Sequence, residues 1–197
     1  YRPDAQVYPG AGYVVAFPNP HGSTGQGQDY TAAISGDWDG KVQKDIRAVA
    51  DWLSVQRWVD ADRMGAMGWS WGGYAMMWLA GHDHPFKALA SMMGVYDLRS
   101  MYSSTEELWF PEWDLRGTPW QNPEGYAKQS PSSYVEKFRT PTLVVTGQKD
   151  FRVPYTQSLA FFTDLQKMKV PSRLVVLEEA SHWPGWYDMI LYYAAHL

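Results

Sequence analysis

What most limits the fold of this chain is an alternation. Five short apolar runs, at residues 12–17 (GYVVAF), 63–67, 87–92, 142–146 (TLVVT) and 173–177 (RLVVL), are each bounded by Gly, Pro or polar turn residues. Runs of this length and character read as strands buried on both faces. Between the first two runs, Val42, Ile46, Val49, Ala50 and Leu53 recur at helical spacing behind Asp37 and Asp39. Those carboxylates can cap a helix start and oppose its dipole, so a helix is predicted over residues 39–56. A second helix follows Gly72, a third covers roughly residues 155–168, and a last one places Trp186, Met189, Ile190, Tyr193 and Leu197 on one face. Strands alternating with helices imply right-handed crossovers, and hence an α/β fold with a mostly parallel sheet covered on both faces. Residues 97–139, rich in Trp, Pro, Ser and Gly, break the rhythm and read as an irregular insertion over the sheet edge. Such a stretch either contributes to a site or is plain loop.

Composition narrows the function classes. At 197 residues with 45% apolar side chains, one core and a single domain over residues 1–197 are expected. A net charge of −4 with no long run of either sign argues against a nucleic-acid or anionic-membrane partner. The chain has no cysteine, which removes disulfides, thiolate metal sites and a cysteine nucleophile, and leaves the compartment open. No other ligand cluster has metal-site spacing, so neither a metal nor an organic cofactor is expected. No 18-residue uncharged apolar run occurs, and the opening YRPDAQVYPG lacks the basic and apolar regions of a signal peptide. Eleven Trp and thirteen Tyr are many for this length, and serve either a Trp-rich core and rim or an aromatic binding surface. A start at Tyr rather than Met reads as a piece of something longer.

The chemistry centres on Gly68-Trp69-Ser70-Trp71-Gly72, where an apolar run meets a helix-like stretch. A G-x-S-x-G pattern arises by chance in about one chain in ten of this composition, so the strand-to-helix setting carries the weight. In that setting it has the form of a nucleophile elbow, whose small residues let the chain turn sharply and expose the serine hydroxyl above the sheet. A serine hydroxyl is a poor nucleophile near neutral pH and needs a general base, itself oriented by a third group. Just past the ends of two predicted strands, TLVVTGQKD delivers Asp150 and RLVVLEEASHW delivers His182. Loops at such strand ends converge in an open α/β sheet. The chain order Ser, Asp, His is that of α/β-hydrolases. Asp97, in ASMMGVYD, also follows a strand and competes with Asp150 for the role of the acid. The segment GSTGQG reads as a tight turn or a phosphate cradle, the latter without the G-K-[ST] a cradle needs.

With these residues placed, the chain resembles the catalytic domain of the prolyl oligopeptidase family of serine peptidases, particularly its acylaminoacyl-peptidase and dipeptidyl-peptidase branches. The carriers are GYVVAFPNPHGSTGQGQDY, GWSWGGYAM, SPSSYVEKFRTPTLVVTGQKDFRVP and SHWPGWYDM, which together span nearly the whole chain. The resemblance implies Ser70 as nucleophile, Asp150 (within G-x-x-D-x-R-V-P) as orienting acid, His182 (within S-H-W) as general base, and the Trp71 backbone N–H as oxyanion donor. It implies hydrolysis of oligopeptides through an acyl-enzyme, and in full-length relatives a β-propeller ahead of this domain. It also implies that the α/β-hydrolase fold here lacks its first strands, including the loop that supplies the second oxyanion donor; His21–Gly22 is a substitute to weigh. Arg152, beside the acid, is read as a structural ion pair or a substrate contact. A carboxylesterase acting on small esters would use the same machinery, and a truncated, non-catalytic fragment is the remaining reading.

Overall fold

The computed structural model of the protein describes residues 4–196, with the side chains of Trp186, Ala195 and His196 outside the described part. Two short helices, α1 (Asp4–Gly10) and α2 (Gln28–Ala32), precede α3 (Lys41–Ser54). The Asp37 carboxylate accepts the backbone N–H of Lys41 at 3.1 Å at the start of α3, whereas Asp39 pairs with Lys128 at 2.8 Å. Then come β1 (Gly65–Trp69), α4 (Trp71–Ala80), β2 (Ala88–Met92), three short helices α5 (Leu98–Tyr102), α6 (Trp109–Asp114) and α7 (Pro123–Gln129), β3 (Thr142–Gly147), α8 (Thr156–Lys167), β4 (Ser172–Leu177) and α9 (Trp186–His196).

The four strands form one all-parallel sheet in the order β1-β2-β3-β4, with Gly65 opposite Ala88, Leu89 opposite Thr142, and Thr142 opposite Ser172. Successive side chains of a strand point to opposite faces, so neighbouring Val144 and Val145 enter different cores. Val144 joins Leu89, Met77 and Leu79 of α4, and Phe161 and Leu165 of α8. Val145 joins Met92, Leu177 and Tyr192 of α9. Helices therefore pack on both faces, and the middle of the sheet is apolar because it lies between two cores. No described helix is long and apolar enough to cross a membrane.

Three expectations are corrected. Residues 12–17 form no strand of the four-stranded sheet, and Tyr13 and Val14 are 53% and 63% exposed. A strand exists only through its ladder, and these residues and β1 instead line the same groove of about 1100 Å³, Val14, Ala16, Ala66 and Met67 among its lining. Residues 97–139 are not irregular but carry α5 to α7 and a 3-10 segment, Pro131–Lys137. On α9, Met189 and Tyr193 pack against the core around buried Tyr192, but Ile190 is 55% exposed. It lies two residues, about 200° around the axis, from Tyr192. Leu197, expected on that face, and the Trp186 side chain are outside the described part.

Candidate active site

Ser70 occupies the junction between β1 and α4 with φ 57° and ψ −115°, a backbone conformation that L residues rarely adopt. Holding a non-glycine residue there costs on the order of 1–3 kcal/mol, so the surroundings must impose it. They do: the Ser70 N–H donates to the Met92 carbonyl at 2.8 Å, and the Tyr74 N–H donates to the Ser70 carbonyl at 2.9 Å, tying the turn to β2 and to the first turn of α4. Two glycines make room for so sharp a turn. A Cβ on Gly68 would overlap the Gly72 carbonyl, and one on Gly73 would overlap the Met92 carbonyl and the backbone of Gly94. Backbone cannot step aside as a flexible side chain can. Gly68→Ala is accordingly expected to lower unfolding stability by about 3 kcal/mol, the upper end of ordinary overpacking costs. A urea midpoint within error of the parent would show that the turn is not this tightly built.

Asp150 follows β3 and His182 follows β4, so both arrive at the same end of the sheet as Ser70. His182 Nδ1 lies 2.8 Å from Asp150 Oδ2, and His182 Nε2 lies 2.9 Å from Ser70 Oγ. Asp150 and His182 are 2% and 5% exposed. The second Asp150 oxygen accepts the backbone N–H groups of Arg152 and Val153 at 3.0 and 2.9 Å, so every part of the carboxylate is engaged and the group cannot rotate away. The imidazole is thus held at one nitrogen and aimed at the serine hydroxyl with the other. Asp97 takes no part in this arrangement. It caps α5 by accepting the Ser100 N–H at 2.7 Å, and its other oxygen accepts the Ser132 hydroxyl at 2.7 Å.

Trp71 is the first residue of α4, where backbone N–H groups have no partner within the helix and the helix dipole favours negative charge. Its indole rests on Trp38 and Tyr74, with ring centroids 6.0 and 5.4 Å away, and Trp38 stacks on Phe110 of α6 at 6.4 Å. The Trp38 indole N–H donates to Asp114, whose carboxyl pKa is raised by its burial. His21 and Gly22 do not present free amides: the His21 N–H donates to Asp45 at 2.7 Å and the Gly22 N–H to the Tyr30 carbonyl at 2.9 Å. With Gly22, Gly25 and Gly27 all at φ near +95°, GSTGQG is a chain of turns whose conformation demands glycine. Arg152 pairs with Glu107 at 2.9 Å and Glu106 at 3.5 Å, and its carbonyl accepts the Thr105 hydroxyl at 2.7 Å. These contacts clip the loop of Asp150 to residues 105–107. Neither glutamate was marked by sequence pattern, because an isolated Glu pair between short helices carries no periodic signal.

Three comparisons bear on this arrangement. The profile of the prolyl oligopeptidase family matches residues 1–196. A dipeptidyl-peptidase 5 of Porphyromonas gingivalis is 38% identical over 177 residues, covering 87% of this chain and 26% of that protein. One from Schizosaccharomyces pombe is 39% identical over 180 residues, with 90% and 26% covered. The chain thus spans about a quarter of the length of the curated relatives it matches. Among solved structures, Pyrococcus horikoshii acylaminoacyl peptidase superimposes with a TM-score of 0.78 at 26% identity, covering 83% of this chain and 27% of that one. A Mycobacterium tuberculosis puromycin-hydrolyzing peptidase gives 0.78 at 27% identity, with 84% and 25% covered. The four parallel strands and their helices are those of an α/β-hydrolase, and the chain belongs to the prolyl oligopeptidase family.

Proposed function

We propose that this chain carries the catalytic machinery of a serine peptidase that hydrolyses peptide bonds of oligopeptides through an acyl-enzyme. The observation that carries the reading is the unbroken line from Asp150 through His182 to Ser70, at 2.8 and 2.9 Å, ending on a serine held in a strained turn. Ser70 Oγ attacks the scissile carbonyl while His182 Nε2 takes its proton. Asp150 holds the Nδ1–H tautomer and stabilises the imidazolium that forms. The negative oxygen of the tetrahedral intermediate lies at the start of α4, where the Trp71 N–H donates to it. His182 then hands its proton to the leaving amine, and water repeats the sequence on the acyl-serine to release the acid and restore Ser70. The names of the similar dipeptidyl-peptidases support release of dipeptides from the substrate N-terminus. For the whole protein, the resemblance in sequence carries the further expectation of a β-propeller that restricts entry to peptides.

The test uses the full-length protein. A fluorophosphonate probe is expected to modify Ser70, located by peptide mapping, and dipeptidyl anilides are expected to be cleaved. Labelling that persists in Ser70→Ala would remove the serine from the mechanism. Turnover of p-nitrophenyl esters alone would replace the peptidase with an esterase of the same fold.

A further inference from the structure

Nothing said so far assigns a task to Trp69, the residue between Gly68 and Ser70. It is the last residue of β1, and its indole N–H donates to the backbone carbonyl of His182 at 3.2 Å. Its ring also stacks on that of Trp183, the residue after His182, with centroids 6.3 Å apart and planes 14° from parallel. On the inner side it leans on Tyr192 of α9 at 5.9 Å. Trp69 therefore reaches across from the serine's own strand to the loop that bears the histidine.

That loop has little else to hold its backbone. Past β4 it is tied down at Ala180, whose carbonyl accepts the Lys149 N–H at 2.9 Å, and it is gathered in again at Gly185, whose N–H donates to Asp188 at 3.1 Å. Between Ser181 and Gly185, among the described residues, the bond from Trp69 is the one backbone tether that comes from another part of the fold. The remaining bonds there are local ones, between Ser181 and Trp183.

We propose that Trp69 is a positioning residue for His182: its indole N–H fixes the backbone of the histidine loop relative to Ser70, the next residue in its own chain. This rests on the reading of Ser70 and His182 given above. Asp150 holds the imidazole at Nδ1 and so sets the tautomer and the tilt of the ring, but a ring held at one edge still moves with its Cα. Trp69 supplies the second fixed point. Because it is bonded covalently to Ser70, any displacement of the β1 end carries the hydroxyl and the histidine backbone together, and the 2.9 Å approach of Nε2 to Oγ is preserved.

The experiment uses the full-length protein with Trp69→Phe, which keeps a six-membered aromatic ring for the stack and removes the N–H together with the rest of the five-membered ring. Active serine is titrated with a fluorophosphonate run to completion, and kcat is expressed per titrated site. A misplacement of about 1 Å costs roughly a hundredfold in rate, and loss of one of two fixed points is expected to give about tenfold in kcat with KM unchanged. If Trp69 merely fills space, fewer sites are titrated while kcat per site stays at the parent level, and the proposal is overturned. A rise in KM at constant kcat also overturns it, since the indole then touches substrate and not the base. Should Trp69→Phe not fold, Trp183→Ala, at an exposed position, is expected to lower kcat per site about threefold through loss of the stack. An unchanged value sinks the proposal. Ser70→Ala runs alongside: turnover that survives it overturns this inference and the functional reading together. Turnover lost in Ser70→Ala but unaltered per site in Trp69→Phe overturns this inference alone.

Discussion

Replacing His182 with alanine in the full-length protein is expected to lower kcat on a dipeptidyl anilide by roughly 10⁶, with the fold intact. In serine hydrolases the base and nucleophile act as a unit, and removing either alone costs about that much. Here the dependence is built into the geometry. His182 Nε2 is the acceptor placed 2.9 Å from Ser70 Oγ, and without it the hydroxyl keeps its proton. The substitution vacates a buried site, so circular dichroism and the urea midpoint must accompany the assay. A loss of less than about tenfold in a folded variant would mean that the base is another group.

The second large effect is expected at Asp150. In Asp150→Asn the amide oxygen can still accept the N–H groups of Arg152 and Val153, which leaves the NH₂ facing His182 Nδ1. Two donors cannot face each other, so the imidazole is driven to carry its proton on Nε2. It then donates to Ser70 instead of accepting from it. A change of this kind lowers turnover by roughly 10⁴ with the shape of the site preserved. Asp97→Asn supplies the contrast. An asparagine still caps α5, and the position lies outside the Asp–His–Ser line, so activity is expected to stay within a factor of about three. A reversal of these two results would transfer the acid's role to Asp97.

The four strands of the sheet were legible because each carries a short apolar stretch, such as residues 143–145 and 174–177, which sequence displays directly. Residues 12–17 display the same signal and form no strand. Local pattern states what a segment could do in a sheet, and only the ladder partner, a non-local fact, decides whether it does. The helices between residues 97 and 139 failed for the opposite reason. At five to seven residues, α5, α6 and α7 are too short to repeat an apolar stripe, and they exist through tertiary contacts such as those of Leu98, Met101, Leu115 and Tyr126 with Tyr74 and Trp38. The meeting of Ser70, Asp150 and His182 was legible because all three sit just past strand ends, where parallel topology collects loops at one end of the sheet. The tether from Trp69 was not, since the variable positions of G-x-S-x-G carry no pattern. Its partner is a backbone carbonyl 113 residues away.

The spacing of the three residues along the chain has a consequence for how the protein is made. Asp150 and His182 are 32 positions apart, but Ser70 and His182 are separated by 112. The serine turn, by contrast, is closed by β2 and α4 alone, within a few tens of residues. Contacts of long sequence separation form late, because loop closure must be met before they return any stability. The strained serine turn is therefore expected to form before β4 docks and brings His182 across to it. Acquisition of fluorophosphonate reactivity reports that last event, while far-UV signals report the early ones. The delay between the two is expected to time the closure of the sheet at β4.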